Sequence, residues 1–174
     1  MRHVPNLLTV FRILLVPIFI FTYLQDHNAI ALTVFIIAGL TDLLDGYIAR
    51  KYHLITTIGT LLDPLADKLM LLSVLTCMAM KNVLPIWVPA LMYLKEFSLV
   101  IGSTILYFRH EKKAIPSNIY GKIATVSFSS FILLLLWFPQ QPFLRYGIYF
   151  SMLLKIIAII SYILIYKNTA KIKI

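Results

Sequence analysis

Four aspartates lie close together in the first half of a sequence that contains only seven acidic residues. Asp42 and Asp45 are three residues apart, and Asp63 and Asp67 are four apart, so each pair shares a face if its segment is helical. Both segments are apolar enough to predict membrane helices, where inserting one ionisable group costs at least about 2.5 kcal/mol. The four carboxylates therefore indicate a functional role.

That role is predicted from how the two segments are joined. Residues 50–56 form a short loop, and Asp42 and Asp67 lie at similar depths from it, about 12 to 15 Å along the helices at 1.5 Å per residue. Four carboxylates in a site of low dielectric constant repel one another unless cations join them. Oxygen donors without His or Cys favour magnesium, manganese or calcium over zinc. Interhelical hydrogen bonding and an ion- or proton-coupled transport site are the alternatives.

The composition indicates the class of protein in which these aspartates lie. Of 174 residues, 60% are hydrophobic and 13% are charged, whereas a soluble domain is roughly half apolar and about a quarter charged. Membrane helices need about 20 apolar residues, and six segments qualify. They are residues 5–24, 29–49, 57–80, 84–108, 117–138 and 143–166. We expect an all-α, polytopic membrane protein with six transmembrane helices in one domain, residues 1–174.

The basic residues predict the orientation of these helices. Sixteen Lys and Arg against seven acids give a net charge of +9, but they form no stripe on a polar domain, so a nucleic-acid partner is not expected. Lys81 and Arg145 fall on one side of the predicted helices, and most of the others fall on the opposite side, which predicts a multi-pass cell-membrane protein with both termini cytoplasmic. Residues 4–15 are predicted to be an interfacial lead-in to the first helix. The residues on the cytoplasmic side are Arg2, Arg50, Lys51, Arg109, Lys112, Lys113, Lys167, Lys171 and Lys173.

The segments DLLDGYIAR at 42–50 and GTLLDPLAD at 59–67 resemble the signature of the CDP-alcohol phosphotransferases (CDP-alcohol phosphatidyltransferases). The resemblance implies a six-helix membrane enzyme, usually a homodimer, whose active-site cavity opens to the cytoplasm. It also implies transfer of a substituted phosphoryl group from a CDP-linked donor to an alcohol, with release of CMP. The matching positions are Asp42, Asp45, Gly46, Ala49, Arg50, Gly59, Asp63 and Asp67.

The resemblance further implies a role for each matching residue. The aspartates would hold Mg²⁺ or Mn²⁺, as two ions that neutralise the donor pyrophosphate, and one aspartate would also accept the proton of the alcohol. The glycines would admit the cytidine, because a residue without a side chain allows close approach to the helix backbone. The implied metal ligands are Asp42, Asp45, Asp63 and Asp67, the implied base is Asp67, and the implied nucleotide pocket is Gly46, Ala49, Arg50 and Gly59.

Further similarity concerns the acceptor. The opening PNLLTVFR at 5–12, the pair Lys95-Glu96 and the segment GKIAT at 121–125 resemble bacterial phosphatidylglycerophosphate synthases. That resemblance implies CDP-diacylglycerol as donor and glycerol 3-phosphate as acceptor, with Lys95 and Lys122 holding the acceptor phosphate. Ser103 departs from the pattern, because those synthases often carry a second Arg there. Cardiolipin synthases of the same family, which use phosphatidylglycerol, are therefore the alternative.

Overall fold

The computed structural model describes residues 4–52, 57–108 and 119–171, with side chains at 7–48, 51–52, 59, 62–98, 101 and 123–157. These ranges contain six helices and no strand, so the prediction of an all-α chain with six helices is confirmed. The helices are α1 (Val4–Leu24), α2 (Asn28–Lys51), α3 (Thr57–Met80), α4 (Trp87–Phe108), α5 (Ile119–Trp137) and α6 (Pro142–Lys171).

Two helix boundaries differ from the predicted ones by three residues or more. α4 begins at Trp87 rather than at residue 84, because the residues before it form a turn that contains Pro85. α6 continues to Lys171 rather than ending at residue 166, since no Gly or Pro interrupts the polar extension. The predicted lead-in is the first part of the continuous helix α1, which also contains Pro17, and its place relative to a membrane stays a prediction.

α1 and α3 end in the same backbone motif. Asp26 and Asn82 adopt left-handed conformations, with φ of 65° and 56°. In α1 the N–H of Asp26 donates to Tyr23 O at 3.1 Å, and that of His27 donates to Thr22 O at 3.0 Å. Asn82 and the residue after it repeat this pattern at the end of α3. Each motif satisfies helix-end carbonyls that would otherwise lack partners.

The chain divides into two compact units, Met1–Leu99 and Val100–Ile174. In the first unit, α1 packs along both α2 and α3, whereas the described residues of α2 and α3 make few direct contacts with each other. Phe19 on α1 is fully buried, and its ring stacks on Tyr23 with centroids 5.6 Å apart. α1 is therefore the central helix of this unit. The expectation of one domain over residues 1–174 stays a prediction.

In the second unit α5 packs against α6. Gly147 on α6 lies so close to Phe131 on α5 that a Cβ at this position would fall 2.3 Å from a ring carbon. One turn later Ser151 donates a hydrogen bond to Gly147 O at 2.9 Å. Lys155 Nζ lies 3.7 Å from the centroid of the buried Phe128 ring, which is a cation–π contact.

Within the described ranges, two helical stretches are long and apolar enough to cross a membrane, Leu7–Leu24 and Asn28–Ile48. Only 33% of each stretch is buried inside the structure, and large apolar side chains such as those of Phe21 and Leu43 are exposed, as they would be in lipid. α3 does not reach the same hydrophobic length because Asp63, Asp67 and Lys68 interrupt it. The expected number of six transmembrane spans remains a prediction.

Candidate active site

Arg12 is the most deeply buried charged residue among those described, with its side chain 1% exposed. Its Nη1 lies 2.7 Å from Asp42 Oδ1, and its Nη2 donates a hydrogen bond to Asp45 Oδ2. One guanidinium on α1 thus joins two carboxylates on α2. The planar fork of an Arg suits this geometry, because one nitrogen hydrogen-bonds to Asp45 while the other forms an ion pair with Asp42.

Thr9 lies on the same face of α1, one turn before Arg12. Its hydroxyl donates a hydrogen bond to Asp63 Oδ1 on α3, and the Thr9 side chain is fully buried. A single face of α1 therefore contacts carboxylates from both neighbouring helices. Because α2 and α3 contact each other little in the part of the chain that the structure describes, these contacts from α1 help to place their aspartates relative to one another.

The four aspartates differ in exposure but interact electrostatically. The Asp45 side chain is 4% exposed and that of Asp42 is 42% exposed, and Asp67 is also exposed. The charges of Asp42 and Asp63 both act on Asp45 and on Asp67. Among the described side chains no three of His, Cys, Asp or Glu lie close enough to form a metal-binding group. Convergence of all four on bound metal stays a prediction.

A second charged group joins α3 to α4. Glu96 Oε2 lies 2.8 Å from Lys68 Nζ, and its Oε1 accepts a hydrogen bond from Lys95 Nζ at 3.0 Å. The Glu96 side chain is 13% exposed, whereas Lys68 and Lys95 are 40% and 30% exposed. Two lysines share one carboxylate, so the group keeps one net positive charge beside Asp67. Lys95 was predicted to bind phosphate, and in this structure it pairs with its chain neighbour.

The remaining predicted site residues are only partly described. Gly46 follows Asp45 on α2 and is half-buried, and Gly59 is buried on α3 one turn before Asp63. The side chains of Ala49, Arg50 and Lys122 lie outside the described residues, so their predicted roles stay predictions.

The sequence patterns did not predict that Arg12, Thr9 and Lys68 contact the site. A signal for Arg12 was present, because a permanently charged residue within an apolar helix requires an acidic partner. The aspartate cluster supplies acids at similar positions in neighbouring apolar segments, so charge alone pairs Arg12 with it. Thr9 carried no comparable signal, since a lone Thr in an apolar helix commonly bonds to its own backbone.

The aspartate pattern and its α1 partners occur within residues 2–166, which match the family model for CDP-alcohol phosphatidyltransferase. The chain belongs to the CDP-alcohol phosphatidyltransferase family. The resemblance found from residues 42–67 is thereby confirmed, and the match extends it over nearly the whole sequence.

Curated relatives fall into two named activities. The chain is 35% identical over 140 residues to a Streptomyces coelicolor cardiolipin synthase (CMP-forming), covering 76% of this chain and 65% of the relative. It is 34% identical over 140 residues to a Bacillus subtilis CDP-diacylglycerol–glycerol-3-phosphate 3-phosphatidyltransferase, covering 72% of both. A Schizosaccharomyces pombe cardiolipin synthase (CMP-forming)/mitochondrial hydrolase fusion protein is 39% identical over 114 residues, 66% of this chain and 19% of that protein. The chain thus spans less than two thirds of the length of the Streptomyces coelicolor and Schizosaccharomyces pombe relatives.

Proposed function

We propose that this protein is a phospholipid-biosynthetic enzyme that transfers the phosphatidyl group of CDP-diacylglycerol to glycerol 3-phosphate, giving phosphatidylglycerophosphate and CMP. The observation that carries the proposal is the buried Arg12 with Asp42 and Asp45 in a chain of this family. A membrane-embedded cluster of acids around one cation suits a donor whose pyrophosphate needs further cations to be bound.

Divalent cations suit the donor chemistry of these residues. The side chains of Asp42, Asp45, Asp63 and Asp67 offer only oxygen, as Mg²⁺ and Mn²⁺ prefer, and Asp42 and Asp45 already share one positive charge. These four residues would hold two ions. When bound, such ions neutralise the donor pyrophosphate and the departing CMP.

The chemical step is a direct displacement. The acceptor hydroxyl oxygen attacks the phosphorus that carries the diacylglycerol, a new P–O bond forms, and the P–O bond to CMP breaks with its electron pair staying on CMP. Asp67 accepts the hydroxyl proton, since a carboxylate beside the acceptor is the base this cluster offers. Gly46, Ala49, Arg50 and Gly59 bind the nucleotide.

Lys95 and Lys122 bind the phosphate of the acceptor, and Lys68 contributes through Glu96. The contacts of Glu96 with Lys68 and Lys95 support the proposal. They hold Lys95 close to Lys68, which is the residue next to Asp67. The protein works in the cell membrane as a multi-pass homodimer among membrane lipids, with both termini and the active-site cavity on the cytoplasmic side.

An acceptor panel tests the proposal. Purified protein in detergent micelles receives CDP-diacylglycerol, Mg²⁺ and one acceptor at a time, and released CMP is measured with the lipid product. We expect CMP with glycerol 3-phosphate, no CMP after chelation with EDTA, and recovery when Mg²⁺ or Mn²⁺ returns. If none of the tested acceptors leads to CMP release, the enzyme assignment is contradicted.

Cardiolipin synthase activity is the second candidate, and two observations favour it. Two of the relatives above carry that name, and Glu96 neutralises part of the positive charge that a small phosphorylated acceptor would require. Consumption of phosphatidylglycerol but not of glycerol 3-phosphate in the same panel would establish it.

A further inference from the structure

Arg12 contacts one oxygen of each of two carboxylates. Its Nη1 lies beside Oδ1 of Asp42, and its Nη2 bonds to Oδ2 of Asp45, so the second oxygen of each aspartate is not held by Arg12. A guanidinium that only compensated charge could pair with one carboxylate through both nitrogens. The observed division fixes the orientation of two side chains relative to each other.

Thr9 extends the same arrangement to the neighbouring helix. It bonds to Oδ1 of Asp63 from the face of α1 that carries Arg12, and both side chains are buried. With so few direct contacts between the described parts of α2 and α3, these two residues link the aspartates of separate helices through one rigid element.

The negative charge of the aspartate cluster exceeds what Arg12 compensates, so the cluster can bind further cations. With all four carboxylates ionised, the cluster and the Arg12 guanidinium carry a formal net charge of minus three. Lys68 pairs with Glu96, so the group of Lys68, Lys95 and Glu96 adds only one formal positive charge beside Asp67. Arg12 therefore lessens the repulsion among the acids without neutralising them.

From these contacts we propose that Arg12 and Thr9 are positioning residues, which fix where the carboxylates of Asp42, Asp45 and Asp63 lie relative to one another, and that divalent metal needs this placement to draw the three together. The inference rests on the proposed function for its metal. Residues that orient metal ligands typically change metal affinity by about 10- to 100-fold when removed.

Mn²⁺ binding measured by electron paramagnetic resonance tests this without any turnover. The signal of free Mn²⁺ is followed as purified full-length protein is titrated, and helicity is checked by circular dichroism. We expect Arg12→Gln to weaken Mn²⁺ affinity about 10- to 100-fold. Arg12→Lys should be weakened similarly, because an ammonium lacks the fork that reaches both carboxylates. Lys81→Gln, which removes a cation from another ion pair of the same unit, should match the wild type.

Thr9 supplies a second test if the Arg12 variants lose their helicity. Thr9→Val should weaken Mn²⁺ affinity by about tenfold, and Thr9→Ser, which keeps the hydroxyl, should retain it. Wild-type affinity in helical Arg12→Gln, or in Thr9→Val, would overturn the inference. Full recovery in Arg12→Lys would overturn the fork geometry, and tighter binding in Arg12→Gln would make Arg12 a competitor of the metal. A wild-type protein without Mn²⁺ affinity would remove the metal from the proposed function and this inference with it.

Discussion

Lys81 and Asp26 connect the ends of two helices. Lys81 Nζ lies 2.6 Å from Asp26 Oδ1. Asp26 is the left-handed residue at the end of α1, and Lys81 precedes Asn82, the left-handed residue at the end of α3. The pair therefore joins the α1–α2 turn to the α3–α4 turn at one end of the first unit.

This pair predicts a small, salt-dependent contribution to stability. The Asp26 side chain is 77% exposed, so its ion pair is screened by solvent and contributes roughly 0.2 to 1 kcal/mol. We expect Lys81→Gln to lower the free energy of unfolding by that amount at low salt and by less at high salt. A double-mutant cycle with Asp26→Asn, followed by unfolding in SDS, measures it. A loss well above 1 kcal/mol would show that the two turns depend on each other.

Gly147 is predicted to be required for the packing of α5 on α6. Gly147→Ala places a methyl group against the Phe131 ring, which must shift, and we expect a loss of about 1 to 3 kcal/mol in the free energy of unfolding. Thermal or SDS unfolding of the purified protein measures it.

Gly39 is the matched control for that substitution. A Cβ added at Gly39 on α2 meets nothing within 4 Å, so Gly39→Ala should be neutral or stabilising by about 0.5 to 1 kcal/mol, since Ala is the better helix former. Truncation of Phe131 to Ala should reduce the further cost of Gly147→Ala. Equal effects at the two glycines would contradict the close approach as the cause.

Asp67 is predicted to act on the proton of the acceptor. Asp67→Asn keeps a side-chain oxygen that can bind metal but removes the carboxylate base. We therefore expect turnover to fall about 10²- to 10⁴-fold, while binding of CDP-diacylglycerol is largely kept. Initial rates of CMP release and an equilibrium binding measurement separate the two effects. Asp26→Asn, outside the cluster, should behave as the wild type. Normal turnover in Asp67→Asn would assign the base to another group.

Lys95 is predicted to act on acceptor affinity. Lys95→Gln removes one charge-assisted hydrogen bond, worth about 1.5 to 3 kcal/mol, so KM for glycerol 3-phosphate should rise about 10- to 100-fold. KM for CDP-diacylglycerol should stay unchanged. Lys95→Arg retains the charge and should recover part of the loss. If KM for glycerol 3-phosphate does not move, Lys95 serves the Glu96 ion pair alone.

Local patterns in the sequence determined the helices and the family of this protein. Apolar segments of membrane length predicted six helices, and spacings of three and four residues placed Asp42 with Asp45 and Asp63 with Asp67. These features are readable because helical periodicity depends only on neighbouring residues. The same patterns could not predict which helices pack together, since an apolar face that meets lipid resembles one that meets another helix.

The tertiary structure decided which charges meet. It placed α1 against both α2 and α3, so that Arg12 reached Asp42 and Asp45 while Thr9 reached Asp63. It also paired Glu96 with Lys68 from another helix as well as with its neighbour Lys95. These partners are far apart in the sequence, and their contacts follow from interhelical packing in which buried charges must find one another.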